Sequence, residues 1–571
     1  MKKIILFLAA IIAFASCQDF LEETNRNQIT ADVLYSTPEG YDQLVNACYA
    51  YLRTFYGKPV GFGLTEQGTD CYTNAGADSG RMPEMGLYNE DLNSSQQLFA
   101  YMWRCLYSGL NTCNAAIARA DGAGLDEAKK NQYLGEVHFL RALYLHLITE
   151  IWGDVILYTE EMNSPVSTAE RTSQDKFYEQ IFSDIDESIR LLPSNVVKNY
   201  GRVTQVAAKA LKARLCLYRK DYDQAAKLAQ TVLDESGATL YDSFKETFSV
   251  DNAVGQTNLE AIWWVDYSKT EELSYHFADQ DIVDPARGTS LAGNYQPLVS
   301  AMSYWMVPNA CVWVTKDTHA PWVHLMPTYA YLHTFDETID QRYDGTFRTE
   351  WLVNDPVTEA KYAYFQTEFG RTEPLEQGDV SFTTVKYSVD DAYEKTCGYN
   401  IYDADDVYDP VTRKTIGTRD YFVSTYKFQD NSEGRTGWEY YSKRDFFVFR
   451  AAEMHLIIAE ALMTSNPTEA LKHMNHLREK RAIAGKEAEM RITADQLTID
   501  FILDERGREF AGEQQRFFDL KRTGKLVERV KKMNPNAAEN IQEYHAIRPI
   551  PQAELDALTN GKEFGQNKGY N

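Results

Sequence analysis

The sequence predicts a mainly α protein: a frame of paired helices carrying one large, irregular, loop-rich insertion with short strands. Three observations predict it. Apolar residues recur at helical spacing over long runs near both ends of the 571-residue chain. Successive runs are separated by turns of a few residues, which places neighbouring helices antiparallel. From about residue 259 to about residue 441 that period stops, and Tyr, Trp, Asp, Thr and Gly dominate.

In chain order, Met1-Lys2-Lys3 is a short basic head, and Ile4 to Ala15 is an unbroken apolar run. The run is too short to span a bilayer, where about 20 residues are needed. Head, run and the small residues Ala15 and Ser16 make a secretory signal over residues 1–16. Residues 17–30 follow as a polar tether. The rest, 31–571, is expected to be a single domain, with frame at about 31–258 and 442–571 and the insertion between. Helices are expected at Glu39–Tyr56, Gln96–Ala120, Asp126–Trp152, Gln174–Leu192, Thr204–Arg219 and Asp221–Glu235. After the insertion they are expected at Arg444–Thr464, Pro467–Ile483, Ala494–Ala511 and about Gln515–Lys531. Leu140, Leu143, Leu147 and Ile151 form one buried stripe, and Gly153 suits a helix end. Around the turn Lys220-Asp221-Tyr222, Ala213 and Ala225 are small where two antiparallel helices touch. That spacing resembles a tetratricopeptide repeat, and a second pair turns at Asn466-Pro467. The frame is therefore expected to be tetratricopeptide-like. Strand-like pieces in the insertion are "SFTTVKY" and "YFVSTYKF".

Composition excludes several functions. A net charge of −25 repels phosphate backbones, so nucleic acid is not an expected partner. No H-E-x-x-H, G-x-S-x-G, Walker A or G-x-G-x-x-G occurs. The ten histidines are scattered; His138 and His146 lie two turns apart and His473 and His476 are near neighbours, but no acidic partner stands at metal-ligand spacing, so no metal, cofactor or catalytic residue is expected. "DADDVYD" (Asp403–Asp409) is dense enough in carboxylates to raise calcium, but it lacks the EF-hand glycine and reads better as a solvated turn. A surface glycoside hydrolase would need two carboxylates across a bond, and nothing in the pattern singles out a pair. The cysteines after Cys17 make no C-x-x-C; a disulfide among Cys71, Cys311 and Cys397 is left open.

The candidate binding element is Ser303–Trp322, "SYWMVPNACVWVTKDTHAPW". It holds Trp305, Trp313 and Trp322, three of the nine tryptophans, and is interrupted by Pro308 and Pro321. Flat rings complement the C–H faces of sugars, and polar side chains complement the hydroxyl rim. Tyr295 and Tyr304 lie nearby, with Asn294, Gln296, Asn309 and Lys316 for the rim. A second candidate is "EQGTDCYTNAG", where Asp70, Tyr72 and Asn74 alternate.

The whole pattern resembles the SusD/RagB outer-membrane lipoproteins of Bacteroidetes. "FASC" resembles the lipobox, with Cys17 as the lipidated residue, and "CQDFLEE" the mature start. "FLRALYLHLITEIWGDVIL", "GRVTQVAAKALKARLCLY", "HLMPTYAYLHTFDETIDQRY", "ILDERGREFAGEQQRFFDLKRTG", "IRPIPQAELDA" and "GQNKGY" resemble the family's landmarks in order. Departures are Phe14 in place of Leu, Gln514-Gln515-Arg516-Phe517 in place of Gly-His-Arg-aromatic, and Lys568 in place of Pro. The resemblance implies a cell-surface lipoprotein, lipid-anchored in the outer membrane, that captures glycan and passes it to a SusC-like TonB-dependent transporter. Asp19, Glu22 and Glu23 resemble the family's surface-export signal. A peptide-binding, RagB-like role is the alternative the same resemblance allows.

Overall fold

The structure is a computed structural model that describes residues 30–75, 82–267, 293–416, 421–438 and 442–570. The signal, Cys17 and the tether as far as residue 29 lie outside the described residues.

The frame's principal helices are α1 (Pro38–Ala50), α2 (Gln97–Arg119), α3 (Glu127–Trp152), α4 (Gln174–Leu191), α5 (Gln205–Tyr218) and α6 (Tyr222–Ser236). After the insertion come α7 (Ala451–Leu462), α8 (Pro467–Lys480), α9 (Ile499–Phe510), α10 (Arg516–Arg522) and α11 (Leu526–Met533). Their starts are chemically marked. The Thr37, Asp126, Thr204, Asp221, Asn466 and Thr498 side chains each accept a first-turn backbone N–H. Gly153 ends α3 at φ +73°.

α3 packs between α2 and α4, α5 against α6, and α6 against α7. Leu140, Leu143, Leu147 and Ile151 are all buried. Each such side chain contributes about 1.5–3 kcal/mol. Ala213 and Ala225 are fully buried at the α5–α6 contact, where small side chains let two helices approach. Lys220, in the connecting turn, has φ +62°.

The strands are short. They are β1 (Tyr72–Asn74), β2 (Ala261–Val265), β3 (Leu325–Pro327), β4 (Phe347–Arg348), β5 (Glu350–Leu352), β6 (Val380–Thr384), β7 (Asn400–Tyr402), β8 (Ser424–Thr425) and β9 (Phe446–Arg450). β2 pairs antiparallel with β9, so the insertion leaves and rejoins the frame through one two-stranded ladder. β5, β6 and β7 make a three-stranded sheet, β4 pairs with β8, and β1 pairs with β3.

Two helical expectations are corrected. Arg444–Thr464 is a strand followed by a helix, because Phe446-Phe447-Val448-Phe449 is buried on both faces and pairs with the equally buried Ala261–Val265. Gln515–Lys531 is two helices, α10 and α11, broken where Gly524 takes φ +69°. In "YFVSTYKF" only Ser424-Thr425 is strand. One continuous apolar core joins Leu44, Leu140 and Met454 of the frame to Leu298, Trp322 and Phe382 of the insertion.

Candidate functional site

The Ser303–Trp322 loop is pinned by its buried members. Tyr304 is fully buried, its ring stacks on Trp351 at 4.6 Å and 19°, and its hydroxyl donates to the His319 carbonyl. The next residue, Trp305, is half-buried and turns toward the surface. Asn309 reverses the chain at φ +57°. Val312 and Val314 then point inward and Trp313 outward. Asn354 clamps Trp313 by its backbone: Trp313 N donates to Asn354 Oδ1 at 2.6 Å, and Asn354 Nδ2 donates to the Trp313 carbonyl at 3.2 Å. Thr318 Oγ1 donates to the same carbonyl at 2.9 Å and accepts from Thr315 N at 2.8 Å. His319 at φ +54° and Val323 at φ +52° show tertiary packing overriding local preference, the Val at real cost.

A second segment meets this turn. Ala320 N donates to the Gly437 carbonyl at 3.0 Å. A Cβ on Gly437 would sit 2.6 Å from the Thr315 carbonyl carbon, so glycine permits the approach. Trp438 follows. Trp305, Trp313 and Trp438 form a mutually edge-on triad, with centroid distances of 5.9, 6.4 and 6.1 Å and interplanar angles of 66–75°. Trp313 is 43% and Trp438 45% exposed, with Met306 beside Trp305 at 53%. Exposed tryptophan costs hydration energy, and three together mark a contact surface.

Of the residues singled out in the sequence, Trp305, Trp313, Asn309 and Lys316 reach this part of the surface. Trp322 and Tyr295 do not: they are buried and pack on each other at 4.5 Å, with Lys58 Nζ 4.8 Å from the Tyr295 ring. Asn294 and Gln296 are buried too. The second candidate is corrected more sharply. Asp70 is fully buried and takes Arg516 at 2.6 Å and Arg529 at 2.7 Å. Burial alone would raise its carboxyl, but the two guanidiniums outweigh that and bring it to about 2. Tyr72 is fully buried with its hydroxyl 2.9 Å from Thr425 Oγ1, and Asn74 is a buried position of β1 opposite Leu325. This stretch is a core strand, so none of the three presents a surface. Trp438 was missed, although "GRTGW" is another glycine-framed tryptophan in the same irregular region.

The acidic cluster is spent on its own backbone. Asp403 accepts from Asp405 N and Asp406 N, Asp406 accepts from Asp403 N, and Asp409 accepts from Val411 N and Thr412 N. Asp405 pairs with Arg413 at 3.1 Å. Among the described residues no group of His, Cys, Asp or Glu is placed to hold a metal. Cys71, Cys311 and Cys397 are unpaired thiols. Burial pushes the Glu66 carboxyl up to about 7, but Glu66 is sealed from solvent and cannot reach a substrate. No described helix is long and apolar enough to cross a membrane.

A paired-helix frame bearing an irregular insertion with an exposed aromatic triad defines a class of helical scaffold that presents a contact surface. The family follows from comparison. Residues 260–570 match the SusD family model, and residues 19–217 match a SusD-like model described as starch-binding and associating with the outer membrane. The chain belongs to the SusD family. Two SusD-like proteins of Formosa agariphila are 23% and 24% identical to it, covering 98% and 92% of this chain and 99% and 91% of their own. Among solved structures it is similar to a laminarin-binding SusD-like protein (TM-score 0.68, 21% identity, 94% of this chain and 100% of that one). It is also similar to surface glycan-binding protein A of Bacteroides thetaiotaomicron in complex with laminarihexaose (TM-score 0.63, 19% identity, 93% and 99%).

Proposed function

We propose that this chain is a cell-surface lipoprotein that captures oligo- or polysaccharide on the Trp305–Trp313–Trp438 face. The exposed triad is the observation that carries the reading. Edge-on rings leave their flat sides turned in different directions, so a sugar chain can lie against two of them. At about 25 cal/mol per Å², covering roughly 100 Å² of apolar surface yields about 2.5 kcal/mol before ordering costs. Two such contacts give micromolar to millimolar capture, a strength suited to a protein that hands its ligand on. Asn309 and Lys316 supply polar groups at the rim. The family, and relatives whose names state glycan binding, support the same reading.

The finer steps follow from the sequence and the family. Cys17 carries the lipid that anchors the chain in the outer membrane, and a SusC-like TonB-dependent transporter receives the glycan. The chain works by binding, without catalysis.

The test is affinity electrophoresis of the protein from Gln18 onward against plant, host and microbial polysaccharides, repeated with Trp313→Ala. Retardation by a polysaccharide that is lost in the variant supports the proposal. Retardation that survives moves the site off the triad. Folded protein that no polysaccharide retards overturns glycan capture and directs the search to peptides.

A further inference from the structure

Beside the tryptophan face lies a cleft of about 660 Å³, lined by Lys245, Asp344, Arg348, Glu350, Tyr426 and Gln429 among others. It shares an element with the face. The carbonyl of Asp317 accepts from Arg348 Nη1, from the Tyr426 hydroxyl and from Gln429 Nε2. Asp317 belongs to the turn that begins just after Trp313, and four residues of chain reach no more than about 14 Å. A few sugar units therefore bridge the two places.

Arg348 lines this cleft. Its guanidinium lies 4.4 Å from the Trp351 ring centroid and 4.8 Å from that of Tyr426, so both rings fix its plane. Nε donates to the Glu350 carbonyl at 3.0 Å, and Nη1 donates to the Tyr426 hydroxyl at 2.7 Å and to the Asp317 carbonyl. Nη2 has no hydrogen-bond acceptor among the described residues, and Arg348 makes no ion pair with a described carboxylate. The other cation deep in the cleft is already spent: Lys427 Nζ pairs with Glu513 at 2.9 Å. Lys245 pairs with Asp344 at its mouth. An oriented, half-buried guanidinium that lines a cleft, with its Nη2 unbonded and no carboxylate partner among the described residues, has the geometry to take an oxyanion.

We propose that this cleft is an anion subsite continuous with the tryptophan face, and that the preferred glycan carries carboxylate or sulfate groups. The proposal rests on the glycan-capture reading. The rings take the sugar faces, and Arg348 Nη2 takes an oxyanion on a nearby unit. Glu350, an exposed carboxylate that lines the cleft, repels a polyanion that does not seat its charge on Arg348, which sharpens selectivity by position.

The experiment measures affinity for three probes, a neutral β-glucan, a polyuronate and a sulfated galactan, with wild type, Arg348→Gln, Arg348→Lys and Trp313→Ala. Thermal melting checks that each variant folds. The expected result is an anionic probe bound at least tenfold more tightly than the neutral one. Arg348→Gln should erase that preference while leaving neutral-glycan binding within about twofold, and Arg348→Lys should restore part of it. Preference for the polyuronate or for the sulfated galactan assigns the anion. Equal binding of neutral and charged probes, or an equal loss of both in Arg348→Gln, overturns the anion subsite while leaving glycan capture standing. Absence of binding to every probe by folded wild type overturns both.

Discussion

Two regions of this molecule look functional by composition, and they behave oppositely. The C-terminal signature is dense in charge, and the structure buries most of it. Glu509 is fully buried and takes Arg481 at 2.9 Å, Arg450 at 2.8 Å and Arg342 at 3.2 Å. Glu505 takes Arg342, Arg478 and Arg508 at 2.6–2.8 Å, and Glu513 takes Arg450 and Lys427 at 2.8–2.9 Å. Glu260 joins from the start of β2 through Arg450 and Arg481. This network ties α9, β9, α8 and the β2 end of the insertion together. The tryptophan face does the reverse, placing apolar rings in water. Charges inside and rings outside invert the usual partition, and the inversion separates the two roles. A paired buried charge is architecture, and an uncovered ring is for contact.

The largest expected effect tests the architectural half. Burial alone would raise the Glu509 carboxyl, but Arg481, Arg450 and Arg342 hold it well below the usual carboxylate range. Glu509→Ala leaves three guanidiniums without their shared carboxylate. The expected loss is about 3–5 kcal/mol in denaturant unfolding. Glycan affinity per folded molecule should stay within twofold. A variant that melts like wild type but no longer binds would break the comparison.

Acid sharpens it next. Asp70 has a folded-state pKa of about 2 against an ordinary 3.8, so its contribution is present above about pH 4. That contribution is lost as pH falls from about 4 to about 2, and amounts to roughly 2 kcal/mol. Asp430, also brought to about 2 because Arg435 and hydrogen bonds outweigh its burial, titrates in the same window. Glu66 runs the other way. Its folded pKa is raised to about 7 from 4.5, so it stabilises the fold fully below about pH 4.5 and loses that as pH rises through 7. Glu66→Gln should therefore flatten the stability profile between pH 5 and 7, read by thermal melting across pH. An unchanged slope would mean that Glu66 keeps its charge in the fold.

Much of the frame was legible because helices announce themselves locally. The stripe Leu140–Leu143–Leu147–Ile151 and the caps at Asp126, Asp221 and Asn466 all lie within a few residues of what they specify. Phe446–Arg450 was not legible, since an apolar run buried on both faces has no period, and its partner Ala261–Val265 lies far upstream. The site was half legible for the same reason. Tryptophans in a proline-broken loop marked the place. Which ring faces out depends on remote contacts: Asn354 clamps Trp313, whereas Tyr295 covers Trp322. Asp70 looked like a ligand residue because its partners, Arg516 and Arg529, are more than four hundred positions away.

The contact half predicts smaller energies with a different readout. Trp313→Ala removes a ring 43% exposed, so unfolding free energy should move by no more than about 0.5 kcal/mol. Affinity for the captured glycan should fall about 10–30-fold, or about 1.4–2 kcal/mol. Trp438→Ala should match it, whereas half-buried Trp305→Ala should cost stability as well. Comparable melting losses in all three would place the triad in the core and remove it as a contact surface.

The smallest change that should tell is Gly437→Ala. A Cβ there meets the Thr315 backbone at 2.6–2.7 Å, closer than real contacts allow. Either the 434–438 segment or the Thr315–Thr318 turn must shift. Both lie on the surface and have few core contacts to lose, so the stability cost should be about 1 kcal/mol. Trp438 rides on one side of that contact and Trp313 on the other, so the shift parts two rings whose centroids now lie 6.1 Å apart. Affinity should drop several-fold with every ring still present, measured by titration with the same glycan. Geometry and composition are separated by this variant alone: full affinity in Gly437→Ala would mean that the rings bind independently, and that their edge-on arrangement is incidental to capture.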